Sequence, residues 1–188
     1  MGSETIDRRV RKTKKQLSQA LTNLLLEKDI KSISVKELTS LADVNRGTFY
    51  LHYRDIYDLY KQIQNEIYVE LHGIFEKHLK NNRRAGLLPV VSEAFAFFAK
   101  NRELCIVVLN SGDSDLLSRI IELGKPKSKE EWFSMLGNAQ PELYEYYYSF
   151  ITAGCVGLLR SWLTGGMVEP PAKMAELAGR MIDKAYTS

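Results

Sequence analysis

At 188 residues, 45% hydrophobic and 26% charged, the chain has the composition of a soluble globular protein of one large or two small domains, not of a disordered one. No run approaches the roughly eighteen apolar residues that cross a bilayer, and no N-terminal apolar stretch resembles a secretion signal, so a cytoplasmic protein without membrane contact is expected. The formal charge is +3 and sits in the first third: residues 1–60 hold eleven Lys and Arg against eight Asp and Glu, whereas residues 61–188 hold fifteen of each, a placement that suits a polyanionic partner.

The first landmark is RRVRKTKK at residues 8–15, with six positive side chains and no acid. Such a run is often only a solvated face, but here it leads into a helix beside the segment described next. Arg11, Lys12 and Lys15 are therefore expected to meet phosphates or an adjacent minor groove. Leu17, Ala20, Leu21, Leu24 and Leu25 follow as a stripe with period near 3.6. Ile30 and Ile33 complete a small core ahead of Ser34.

Residues 34–55, SVKELTSLADVNRGTFYLHYRD, read as two short helices joined by a tight turn. Val35, Leu38, Leu41 and Ala42 share one face of the first, and Ser34 with Glu37 can form a capping box that starts it at about Val35. Asp43, Val44 and Asn45 supply the turn, with Asn45 as the next N-cap. Phe49 and Tyr53, four apart, point inward with Val44 between the helices. Arg46, Gly47, Thr48, Tyr50, Leu51, His52 and Arg54 are left to ring the outer surface. Thr, Tyr and His there have low helix propensity and little to pack against. Gly47 costs about 1 kcal/mol relative to Ala in a helix, and its position permits close approach to a sugar-phosphate chain. The plain alternative is an αα-hairpin with a polar outer face.

Asp55 and Asp58 suit the positive end of another helix. Ile56, Leu59, Ile63, Ile67, Leu71, Ile74 and His78 carry its stripe to about Leu79, a helix of about 25 residues and ~37 Å. His72 and His78 are six apart, which is not a helical metal-ligand spacing, so no metal is expected. Pro89 stands near the start of a helix bearing Val91, Phe95 and Phe98, and residues 104–109 are wholly apolar. Cys105 and Cys155 lie in apolar helical runs and read as reduced core residues. A turn is expected at residues 110–113, and the GKPKSK loop after Leu123 precedes Trp132 and Phe133 as an exposed connection, either a gate or merely a loop.

Residues 141–163 form a further helix in which Ala153, Gly154 and Gly157 lie beside Phe150, Leu158, Ser161 and Trp162. Glycines inside a helix cost stability, so close approach of another backbone is the natural compensation. Gly165 and Gly166 end this helix, and Pro170 and Pro171 begin the last, with Met174, Leu177, Ala178, Met181, Ile182 and Ala185 at three-and-four spacing. From pattern alone the partner of these two helices is either another part of the chain or a second copy. No period-two strand stands out, so the fold class is all-α.

The string TFYLHYRD, after a short helix and some thirty residues holding one amphipathic helix, resembles the DNA-binding domain of TetR/AcrR-family transcriptional regulators. The resemblance is strong over residues 10–60 and architectural beyond. It implies an N-terminal three-helix helix-turn-helix domain with its basic arm at 1–55 and a helical effector-binding and dimerisation domain at 56–188. Thr48, Tyr50 and His52 match positions that meet phosphates or bases, and Arg46 a position often used for base readout. The implied DNA-contacting set is Arg11, Lys12, Lys15, Ser34, Asn45, Arg46, Gly47, Thr48, Tyr50, Leu51, His52 and Arg54. Two positions depart from the family: Asp43 stands where Gly is frequent, and Ile56 where Lys is frequent, so the phosphate contact expected there has no lysine to make it.

The same resemblance implies a homodimer on a double-stranded DNA operator, mostly as a repressor. It turns the choice of partner for the last two helices toward a second copy, through Ala153, Gly154, Gly157, Leu158, Ser161, Trp162, Met174, Leu177 and Met181. A small-molecule effector would enter among Phe95, Phe98, Leu109, Trp132, Phe133, Tyr147 and Phe150, although core packing is the default reading of each. An enzyme has little support, since the three histidines lack a nucleophile or carboxylate set and no phosphate-cradling loop or cofactor motif occurs. A helical interaction module without DNA binding is the remaining alternative.

Overall fold

The computed structural model describes residues 2–81, 88–110, 114–125 and 141–186. Among them are nine α-helices, two short 3-10 turns and no strand. The turn expected at 110–113, all but the first two residues of GKPKSK, and Trp132 and Phe133 fall outside them or across their edge. The helices are α1 (Gly2–Glu27), α2 (Val35–Leu41), α3 (Arg46–Tyr50), α4 (Ile56–Asn81), α5 (Leu88–Lys100), α6 (Arg102–Asn110), α7 (Ser114–Leu123), α8 (Tyr144–Thr164) and α9 (Pro171–Tyr186). Two compact units divide inside α4, between Ile67 and Tyr68. Residue 56, where the second domain is expected to start, is the first residue of α4.

In the first unit α1 packs on α2 and α2 on α3. Leu17, Ala20, Leu21 and Leu24 of α1 are buried, as the 3.6 period requires, with Leu38, Phe49 and Leu59. The basic run at 8–15 is not an extended arm, because it lies within α1. Arg8, Arg9, Arg11, Lys12 and Lys15 are exposed there. Leu41 departs from expectation: at the last turn of α2 it is half exposed and lies off the buried face. Ile56, where the family often has Lys, is buried in the first turn of α4.

The end of α2 explains the other departure. Val44 N–H donates to the Thr39 carbonyl at 3.0 Å and Asp43 N–H to the Ser40 carbonyl at 3.3 Å, the paired bonds of a Schellman stop. Its first residue beyond the cap must be left-handed, and Asp43 has φ +52°. Glycine adopts that conformation without cost and Asp with a modest one.

In the second unit the most extensive pairing is α5 with α9. Val90, Ala94 and Phe97 are buried on the first, Met174, Ala175, Ala178 and Ile182 on the second. Arg102 Nε donates to the Leu163 carbonyl at 3.0 Å and Arg160 Nη2 to the Leu109 carbonyl at 2.7 Å, each satisfying a carbonyl that a helix end leaves open. Tyr148 Oη donates to the Ile121 carbonyl at 2.5 Å and joins α8 to the end of α7. Both cysteines are free, Cys105 buried and Cys155 half-buried. Burial pushes the Cys105 thiol up to about 12, so it behaves as a small core residue.

Candidate nucleic-acid interface

The outward face of α3 is built from behind. Phe49 is fully buried, and Tyr53, 4% exposed, sits with its ring centroid 5.6 Å away. Burial of such a ring is worth about 1.5–3 kcal/mol, enough to fix the orientation of a five-residue helix that could not hold itself. Burial also pushes the Tyr53 phenol up to about 12, with the carboxylates of Glu66 and Asp58 adding to the effect. Tyr50 packs edge-on against Phe49 at 5.3 Å and stays 53% exposed, so its hydroxyl end is carried outward on a fixed ring.

The two helix starts are capped by their own side chains. Asn45 Oδ1 accepts from Gly47 N–H at 2.7 Å, and a Cβ on Gly47 would lie 3.1 Å from that same oxygen. The glycine therefore has a local reason to be there: it makes room for the cap. Ser34 Oγ accepts from Glu37 N–H at 3.2 Å, but the reciprocal arm of the capping box is not made. The Glu37 carboxylate turns to Lys28 of the first unit instead, and that contact holds its pKa below the ordinary carboxylate value. Thr39 is buried, its hydroxyl donating to the Val35 carbonyl at 2.7 Å.

Arg46, Gly47, Tyr50, Leu51 and Arg54 are exposed, with Thr48 and His52 half-buried at the edge. Leu51 is 80% exposed just past the end of α3, an apolar side chain with no core to join. Arg54 is tied down in a way the sequence reading missed. Its backbone N–H donates to Asp58 Oδ2 at 3.0 Å, and its Nη2 lies 3.7 Å from Asp58 Oδ1. The signal was an aspartate at the third position of a helix, read only as a charge near the helix dipole. Chemically, the surface offers hydrogen-bond donors, a guanidinium pair and one exposed leucine, a set suited to phosphates and base edges.

Of the residues expected around an effector, Phe95 is buried with its ring against Trp162 at 5.3 Å, so it is core. Phe98 and Leu109 are half-buried. Tyr147 and Phe150 line an open groove of about 300 Å³ together with Leu143 and Tyr146, which the sequence did not single out. Of the residues expected between copies, Trp162 donates its indole N–H to the Glu169 carbonyl at 2.9 Å and is buried, as is Met174. Both fill the core of their own unit. Ala153, Gly154, Gly157, Ser161 and Met181 are exposed, and Leu158 and Leu177 half-buried. No atom lies within 4 Å of a Cβ built at Gly154 or Gly157, so the close backbone expected there is not supplied within the described chain. Among the described residues no cluster of side chains could hold a metal ion, and no helix is long and apolar enough to cross a membrane.

Comparison with known proteins agrees with this geometry. A TetR family model described as the transcriptional regulator C-terminal region matches residues 87–184. The chain is 28% identical over 186 residues to the uncharacterized HTH-type transcriptional regulator YxbF of Bacillus subtilis (strain 168), covering 90% of this chain but 44% of that protein. It thus spans under half the length of that relative. Among solved structures, a TetR transcriptional regulator from Streptococcus agalactiae 2603V aligns at a TM-score of 0.62 and 21% identity, covering 96% of this chain and 98% of that one. NalD of Pseudomonas aeruginosa, described as the secondary repressor of the MexAB-OprM multidrug efflux pump, aligns at 0.66 and 18%, covering 95% and 97%. All three are described as transcriptional regulators or repressors. The chain belongs to the TetR family of transcriptional regulators.

Proposed function

We propose that this protein is a homodimeric regulator, acting as a repressor, that binds a roughly palindromic DNA operator and releases it in response to a small molecule. The observation that carries the reading is the contrast on α3 and the residues just after it: Phe49 and Tyr53 are buried, while Arg46, Tyr50 and Leu51 are exposed beyond a capped helix start. Thr48, Tyr50, His52, Arg54 and the exposed Arg11, Lys12 and Lys15 of α1 set register on phosphates, with Ser34 and Asn45 at the helix starts. Arg46 reads bases through its fork, and Leu51 meets a thymine methyl. Functionally the reader ends at residue 55, and 56–188 serve the effector and the second copy.

The dimer face is the exposed run Ala153, Gly154, Gly157 and Ser161 of α8 with Leu158 and with Leu177 and Met181 of α9. Its small residues and unfilled space suit the close approach of a second α8. The effector binds in the helical unit, with the groove beside Tyr147 and Phe150 as the described opening. A ligand that favours one disposition of α4 changes the separation of the two recognition helices, and half-sites near one helical turn apart convert that into DNA affinity.

Selection of bound duplexes from a random pool tests the reading. The expected result is a two-fold-related pair of half-sites, bound by a dimer with affinity that falls steeply with salt. A monomer, or a protein that retains no duplex in dilute buffer, leaves the interaction-module alternative in its place. A reporter behind the selected site reads the sign of regulation.

A further inference from the structure

The junction between α3 and α4 holds a clamp with one unusual partner. Asp55 Oδ1 accepts from Asp58 N–H at 2.8 Å and so caps α4 in the ordinary way. Asp58 reaches back past that cap to Arg54, one oxygen on its backbone N–H and the other beside its guanidinium. The Asp58 side chain is 18% exposed and that of Arg54 is 87% exposed. A mostly covered carboxylate therefore holds the root of an arginine whose charged end is in solvent.

Resting on the DNA-binding reading above, we propose that Asp58 is a positioning residue: it fixes the backbone of Arg54 and lightly steers its guanidinium so that the fork is presented to a DNA phosphate. Two features support the role over simple neutralisation. The firm contact is the 3.0 Å bond to the main chain, whereas the guanidinium contact is 3.7 Å with the arginine side chain exposed, too weak to hold the fork away from a phosphate. Tyr53, buried on one side of Arg54, and the Asp55 cap on the other leave the side chain itself as the solvent-exposed part. Fixing its root reduces the freedom lost on binding.

The sign of one substitution separates the two roles. Charge counting alone says that removal of a carboxylate near DNA strengthens binding, whereas a positioning role says that it weakens it. Affinity for the selected duplex is measured across a salt series for the wild type, Arg54→Ala, Asp58→Ala, Asp58→Asn and the double variant Arg54→Ala with Asp58→Ala. Arg54→Ala is expected to weaken binding to all duplexes alike and to lower the salt slope by about one. Asp58→Ala, which removes the acceptor of the main-chain bond, is expected to weaken binding roughly threefold to tenfold when Arg54 is present, the size of an ordinary pairwise coupling, and not at all when Arg54 is Ala. Asp58→Asn keeps an oxygen for the main chain without the charge, so binding near the wild type is expected. Should Asp58→Ala fail to fold, Asp58→Asn still reads the role, because binding clearly tighter than the wild type overturns it. Wild-type binding with Asp58→Ala equal or tighter overturns the positioning role and leaves the regulator standing. Failure of the wild type on every duplex overturns both.

Discussion

Val44 donates its backbone N–H to the Thr39 carbonyl at 3.0 Å, and that bond obliges Asp43 between them to take φ +52°. The turn of the helix-turn-helix is thus held by a main-chain bond at the expense of one left-handed aspartate. Asp43→Gly removes the Cβ penalty but adds freedom to the unfolded chain, so a net gain of about 0.5–1 kcal/mol is expected. Asp43→Val, β-branched in the same conformation, should cost more than about 1 kcal/mol. Urea unfolding followed by circular dichroism checks both, and a glycine variant less stable than the wild type contradicts the account.

Phe49 carries the recognition helix from behind. Phe49→Ala leaves a cavity in a fully buried site and is expected to cost about 3–5 kcal/mol in the first unit. DNA binding should be lost with the fold of that unit, which thermal unfolding and amide exchange would show together. A variant that unfolds at the wild-type temperature would mean that α3 is held by something else.

Asn45 serves as a cap through its oxygen alone. Asn45→Ala should cost about 1 kcal/mol, whereas Asn45→Ser and Asn45→Asp should cost little, because each retains an acceptor for Gly47 N–H. The comparison is made by thermal melts of the three variants. Equal losses in all three would remove the cap from the account.

Gly157 faces open space in the protomer, so a side chain there meets nothing of its own chain within 4 Å at Cβ. Gly157→Leu is expected to keep the helical content and to raise the helix propensity of α8. If the second copy approaches at this point, the same change shifts the protein to monomer in sedimentation equilibrium. A Gly157→Leu protein that stays dimeric would locate the interface elsewhere.

Glu93 of α5 receives Lys77 Nζ at 2.8 Å and lies 2.5 Å from His78 Nε2, both on α4 within the second unit. Lys77 first, then His78, hold its pKa below the ordinary value of 4.5. A carboxylate with a lowered folded pKa contributes stability that is present above the unfolded value and lost as pH falls through the folded one. Acidification below about pH 4.5 should therefore loosen this unit, and Glu93→Gln should flatten that part of the stability profile. Identical acid profiles for the variant and the wild type would show that the pair is too exposed to matter.

What the sequence determined by itself was local and periodic. The 3.6-residue stripes of Leu17 to Leu24 and Ile56 to Leu71, the Ser34 and Asn45 caps, and the inward pair Phe49 and Tyr53 were all legible, since each depends on neighbours within a few positions. The tertiary structure decided which of several apolar or small residues has a partner. Leu41, Trp162 and Met174 had patterns indistinguishable from those beside them, yet one is exposed and two are buried, because burial depends on what crosses the helix and not on its own spacing. The grip of Asp58 on Arg54 is local, four residues apart, and still was not legible: the helix start was visible in the sequence, but the direction in which its third side chain turns was seen only in the folded chain.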